Sequence, residues 1–140
     1  MAVSFSYPVK VERDGDVFIL SFRDIPEALG QASSKSEVIS EALDVLTIAL
    51  GYYFKDGIPI PSASSRRKGE LVVDIPLSLA SKIILHNTMI KNKVRPADLA
   101  KRMGVPTSEV ARITSPRYKT KIDTMASAVS ASGGRMPLSA

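Results

Sequence analysis

Between Pro96 and Lys121 the chain sets basic and hydroxyl side chains at helical spacing around a few apolar residues. Lys101 and Arg102 project from one short predicted helix. Thr107, Ser108, Glu109 and Arg112 project from a second, and Arg117, Lys119 and Lys121 follow in a loop. Those residue types suit the recognition of duplex DNA. Hydroxyls and a guanidinium can reach base edges, and a guanidinium can make two parallel hydrogen bonds to guanine. Lysines and arginines in a loop neutralise phosphates, and the released counterions make such binding strongly salt-dependent. RNA fits less well, because Tyr118 is the one aromatic side chain of this half on which an unpaired base could stack.

Other chemistries find less support. There is no cysteine, which excludes disulfides, thiolate metal sites and cysteine nucleophiles. The lone histidine, His86, lies in a predicted helix with no carboxylate three or four residues away to orient it as a general base. Asp14, Asp16 and Asp24 could hold magnesium in principle, which would make the first half a residual nuclease. They flank turns, however, where aspartate is common for backbone reasons. The expectation is a protein that is not an enzyme and takes no metal or cofactor.

The elements that must position the basic residues can be read from the same segment. Pro96 suits the first turn of a helix over 96–103, since its missing N–H would be unpaired there anyway. Ala100 supplies the small side chain that two steeply crossing helices need at closest approach. Gly104 tolerates the left-handed conformation that ends the first helix. Leu99, Val105, Val110 and Ile113 then form a small core under this helix and a second over 107–114. The pattern is that of a helix-turn-helix, whose second helix enters the major groove. A longer helix from about 77 to 92, with Leu79, Ile83, Ile84 and Met89 on its apolar face, precedes it. One at 120–132, stopped by Gly133-Gly134, follows it. The tail 135–140 is expected to be extended and to pair across a dimer two-fold.

The first half reads differently. Residues 5–13 place Tyr7, Val9 and Val11 on one face, the period of two of a half-buried strand. Asp14-Gly15-Asp16 turns the chain into a second strand, 17–22, with Phe18, Leu20 and Phe22 on one face. The run 24–30 is expected to be a loop, because Pro26 and Gly30 interrupt regular structure. Ser34 and Glu37 fit a capping box that opens a helix from about 35 to 54, with Val38, Ile39, Ala42, Leu43, Leu46, Ala49, Leu50 and Tyr53 on its apolar stripe. Residues 56–69 form a surface loop ending in Arg66-Arg67-Lys68, and 70–75 form a third strand. The fold class is α+β. A β-β-α-β unit occupies 1–75 and an all-α unit 76–140.

The charge distribution divides in the same place. Residues 1–65 carry 5 Lys and Arg against 9 Asp and Glu, a net −4, and residues 66–140 carry 14 against 5, a net +9. A basic half attracts phosphate at long range, and an acidic half suits a basic protein partner. No window approaches the roughly 18 apolar residues of a membrane span, and the N-terminus lacks the pattern of a secretory signal. The default expectation is a cytoplasmic protein.

Taken together, several segments resemble the HicB antitoxins of the HicAB type II toxin–antitoxin systems. They are Tyr7-Pro8-Val9, Phe18 to Phe22, Asp24-Ile25-Pro26-Glu27-Ala28, Tyr52-Tyr53-Phe54, Ile75 to Lys82, Leu99-Ala100-Lys101-Arg102-Met103-Gly104 and Thr120-Lys121-Ile122-Asp123. The resemblance covers nearly all the chain and points to the helix-turn-helix branch of the family. It implies that the first unit takes a partly degenerate RNase H-like fold. That unit would bind HicA, a small basic toxin with a double-stranded-RNA-binding-like fold that cleaves mRNA with a histidine, and would occlude that histidine. The second unit would bind the operator of its own operon and repress it, as a homodimer or homotetramer. Phe22, Asp24, Pro26 and Glu27 are the candidates assigned to toxin contact. Lys101, Arg102, Thr107, Ser108, Arg112, Arg117, Lys119 and Lys121 are the candidates for DNA. The alternative is a transcriptional regulator whose first unit senses a ligand or mediates oligomerisation.

Overall fold

A computed structural model of the chain describes residues 5–137. It is a mixed α+β structure with a four-stranded antiparallel sheet and five α-helices among the described residues. The chain divides into two compact units. One comprises the residues up to Lys55 together with Ile60–Ile75, and the other comprises Asp56–Pro59 together with the chain from Pro76 onward. Among the described residues no helix is long and apolar enough to cross a membrane.

In the first unit, β1 (Ser6–Asp14) and β2 (Val17–Ser21) form the hairpin that the alternation of residues requires, turning at Gly15 with φ +61°. The unit's third strand, β3 (Leu29–Ala32), is the one that sequence reading misses, because it lies where a loop is expected. With β4 (Leu71–Asp74) the sheet order is β3-β2-β1-β4. Register determines which side chains share a face, since directly opposed residues point the same way. Tyr7 opposes Val73, Val11 opposes Leu20, and Leu20 opposes Gly30. Helix α1 (Val38–Asp56) lies against that face, burying Val38, Ala42, Leu46, Ala49, Leu50 and Tyr53. Ile39, expected on the buried stripe, is exposed.

Gly30 is a strand residue for a steric reason. A Cβ built there would stand 2.5 Å from Cγ1 of Val45 on α1. The glycine therefore allows helix and edge strand to approach, and it does so without left-handed dihedrals. The expected capping box does not form. Ser34 makes no side-chain cap; a short 3-10 turn, Lys35–Glu37, precedes α1 instead, with the Glu37 N–H donating to the Ser34 carbonyl at 3.2 Å. The stretch 60–70 is pinned rather than free: Ile60 is buried, Tyr7 Oη donates to the Pro61 carbonyl at 2.6 Å, and Arg23 binds both Glu70 and the Ser65 carbonyl.

The second unit holds α2 (Leu77–Lys91), α3 (Pro96–Met103), α4 (Thr107–Thr114) and α5 (Ile122–Ala131). Their apolar faces meet in one core of Leu85, Met89, Val94, Leu99, Ala100, Val110, Ile113, Met125, Ala128 and Val129, with Val105 packed at its edge. Each fully buried aliphatic side chain of this kind contributes about 1.5–3 kcal/mol. The apolar face of α2 differs from expectation. Leu79 and Ile84 are only half-buried, while Ala80, Ser81, Lys82, Ile83, Leu85 and Met89 are buried. Residues 135–137 have no regular structure, and the remainder of the expected tail strand, 138–140, lies outside the described residues.

Candidate nucleic-acid interface

The α3–α4 connection is built by the residues whose types suggest it. Helix α3 begins at Pro96, and the Asp98 carboxylate accepts the Arg95 N–H at 3.0 Å, which holds that carboxyl below its usual range. The helix ends at Gly104, whose φ of 67° and ψ of 35° are left-handed. A side chain there would be strained by the backbone alone, since nothing stands within 4 Å of its Cβ position. The Val105 N–H returns to the Ala100 carbonyl at 3.0 Å, closing the turn over the buried Ala100. Pro106 then leads into α4.

All eight candidate DNA contacts, Lys101, Arg102, Thr107, Ser108, Arg112, Arg117, Lys119 and Lys121, are exposed. Arg112, Lys119 and Lys121 converge with Tyr118 on one cleft of about 310 Å³, with Glu109, Thr120 and Thr124 completing its lining. Arg112 and Glu109 face each other at 3.6 Å as an exposed i, i+3 pair. Such a pair contributes little and is easily exchanged for a phosphate. Arg102 has a second duty, because its guanidinium donates to the Ala131 carbonyl in the last turn of α5 at 3.0 Å.

One functional candidate escapes sequence reading. Lys82 is buried to 2% exposure, and its ammonium donates to the carbonyls of Arg112 and Ile113 and to the hydroxyl of Thr120. Burial lowers its pKa from 10.5 to about 8. The only local sign is its position beside the buried Ser81 and Ile83 in α2.

Of the four candidates for a protein contact, Phe22 is not at the surface. Phe22 is 2% exposed and belongs to the core of the first unit, as does Ile25, so Phe22 cannot present an exposed ring. Its place on the buried face follows from the alternation of β2 carried one residue further. Asp24 accepts the N–H and hydroxyl of Ser64 at 3.0 and 3.1 Å. Pro26 and Glu27 are exposed. Glu27 accepts the hydroxyl of Tyr53 at 2.6 Å, which lowers the carboxyl's pKa, while burial and that carboxylate push Tyr53 up to about 12. Exposed apolar side chains lie instead at Leu29 on β3 and at Ile48 and Tyr52 on α1.

A ring nitrogen of His86 lies 2.7 Å from the Ile58 carbonyl. Among the described residues, no three His, Asp or Glu side chains come close enough to share a metal ion. Asp14 and Asp16 serve the hairpin turn around Gly15.

The chain thus joins a sheet-bearing unit to a helical unit that exposes several cations. Residues 6–84 match the family described as the HicB-like antitoxin of bacterial toxin–antitoxin systems. Antitoxin HicB 2 of Photorhabdus laumondii subsp. laumondii is 40% identical over 138 residues, covering 99% of this chain and 98% of the relative. Antitoxin HicB 1 of the same organism is 43% identical over 137 residues, covering 95% and 85%. Antitoxin HicB of Escherichia coli is 36% identical over 121 residues, covering 86% and 88%. The chain belongs to the HicB-like antitoxin family, and it is an antitoxin rather than an enzyme.

Proposed function

We propose that this antitoxin neutralises a HicA-type toxin through its first unit and represses its own operon by binding operator DNA through its second. The observation that carries the DNA half is the cationic face formed by α4 and the loop after it. In this reading α3 and α4 are a helix-turn-helix. Thr107 and Ser108 stand at the leading end of the recognition helix, Arg112 reads a base, and Lys119 and Lys121 hold the phosphates. The acidic first half complements a basic toxin, and its sheet and helix are the RNase H-like unit that the family resemblance implies. Pro26 and Glu27 remain on its surface for that contact. The protein acts in the cytoplasm as a homodimer or homotetramer.

The test is binding of the full-length protein to its own upstream DNA at two salt concentrations, with and without the product of the adjacent reading frame. Selective, salt-sensitive binding that the neighbouring product modulates supports both halves. Selective binding with no complex between the two proteins favours a plain transcriptional regulator. A complex without selective DNA binding removes the operator role.

A further inference from the structure

The second unit hides one cation whose contacts all lead to the cationic face. Lys82 on α2 is 2% exposed. Its Nζ donates to the Arg112 carbonyl at 3.0 Å, to the Ile113 carbonyl at 2.7 Å and to Thr120 Oγ1 at 2.7 Å. An ammonium has three donors, so three acceptors match its capacity. Two of the acceptors lie in the last turn of α4, where the helix leaves carbonyls short of partners and its dipole favours a positive charge; the Arg112 carbonyl also accepts the Ser115 N–H at 3.3 Å, and the ammonium takes its second lone pair. The third, Thr120, stands at the far end of the loop that carries Arg117 and Lys119. One side chain thus ties α2 to both parts of the face.

Packing alone does not call for a lysine here. Burying an ammonium costs several kcal/mol even after relaxation, and an apolar side chain of similar length would fill the space without that cost. What the ammonium adds is direction: three hydrogen bonds define where α4 ends and where the loop returns. The backbone carbonyl of Arg112 is held on the inner side while its side chain stays exposed on the outer one.

We propose that Lys82 is a positioning residue for DNA recognition. Without touching DNA, it fixes α4 and the 115–121 loop against α2 so that Arg112, Lys119 and Lys121 meet one duplex together. The inference rests on the DNA-binding reading above. It adds a determinant of selectivity in the buried layer beneath the face.

The test uses the full-length protein and two fluorescein-labelled duplexes of equal length, one from its own upstream region and one of random sequence. Fluorescence anisotropy gives both affinities for the wild type, Lys82→Met, Thr120→Val and the double variant. Misplacing α4 should weaken Lys82→Met on the upstream duplex by about tenfold, the scale of one lost base contact. Binding to the random duplex, which needs only surface charge, should stay within about twofold. Thr120→Val should show a smaller loss of the same selective kind, and the double variant should be no weaker than Lys82→Met alone, because both act through one contact. Equal loss on both duplexes would show that Lys82 serves general stability only and would overturn the proposal, as would wild-type selectivity in Lys82→Met. If Lys82→Met does not melt cooperatively, Thr120→Val decides alone, and an unchanged ratio between the duplexes overturns it. A wild-type protein with no preference for its upstream DNA would instead overturn the DNA-binding reading, and the Lys82 assignment with it.

Discussion

At the scale of single residues, the exposed cations divide by where they stand. Arg112 leaves the last turn of α4, while Lys119 leaves the loop that follows. Arg112→Ala should cost about 1–3 kcal/mol on the operator and little on random DNA, as expected of a base contact. Lys119→Ala should weaken all sequences alike and flatten the salt dependence. Equal losses for Arg112→Ala on the two kinds of DNA would reduce Arg112 to a phosphate contact. The buried cation obeys a different rule. Folding lowers the pKa of Lys82 from 10.5 to about 8 through burial. Between those values the unfolded chain binds a proton that the folded chain has released. The contribution of Lys82 to stability therefore rises with pH across that window, by at most about 1.4 kcal/mol per pH unit. Below it both states are protonated and the burial penalty is fully present. The difference in unfolding free energy between wild type and Lys82→Met, followed from pH 7 to 10.5, checks this. A flat difference would mean that the three hydrogen bonds offset the burial.

Among the elements, the contact between β3 and α1 depends most sharply on one position. Gly30→Ala would push a methyl group to 2.5 Å from Val45 Cγ1, closer than real side chains approach. Overpacking of this kind typically costs about 1–3 kcal/mol. Pairing it with Val45→Ala should restore part of the loss, because the second change opens the space the first one needs. The coupling is read from urea denaturation of the two single variants and the double variant. Strictly additive losses would mean that β3 moves away from α1 instead. Gly104 is a different case, because there the backbone φ of 67° and not a neighbour excludes a side chain. One glycine serves approach and the other serves a turn, and neither could substitute for the other by conformation alone.

On the scale of the whole molecule, the charge split carries the functional argument. The net charge is −4 over residues 1–65 and +9 over residues 66–140, and the proposed function assigns each half a partner of the opposite sign. If the protein dimerises on DNA, its half-sites should lie about 34–36 Å apart, or a multiple of that, so that both recognition helices meet the same side of the duplex. Footprinting the upstream region gives the spacing directly. Protection confined to a single half-site at saturating protein would exclude a symmetric dimer on the operator. Removal of residues 135–140 should lower both oligomer mass and DNA affinity if the tail pairs across the two-fold, and an unchanged mass by light scattering would exclude that role.

The sequence by itself determined what local pattern can encode. The period of two in 5–13 gives β1 to within a residue at each end, and the bounds 96–103 and 107–114 for α3 and α4 follow from Pro96, Ala100, Gly104 and the apolar spacing between them. The segregation of charge, and with it the candidate cations, needs no structure at all. Only the tertiary structure decided the rest. Leu29–Ala32 is a strand because β2 offers it a hydrogen-bonded edge and Gly30 lets α1 lie close; neither fact is written within those four residues. Phe22 faces the core and not a partner because the sheet continues its alternation past the end of β2. Lys82 looks like one more surface lysine, since the groups that bury and satisfy it stand 30, 31 and 38 residues along the chain. Hydrophobic period and turn chemistry act between neighbours in sequence. The burial of a charge and the pairing of an edge strand depend on partners that only folding brings near.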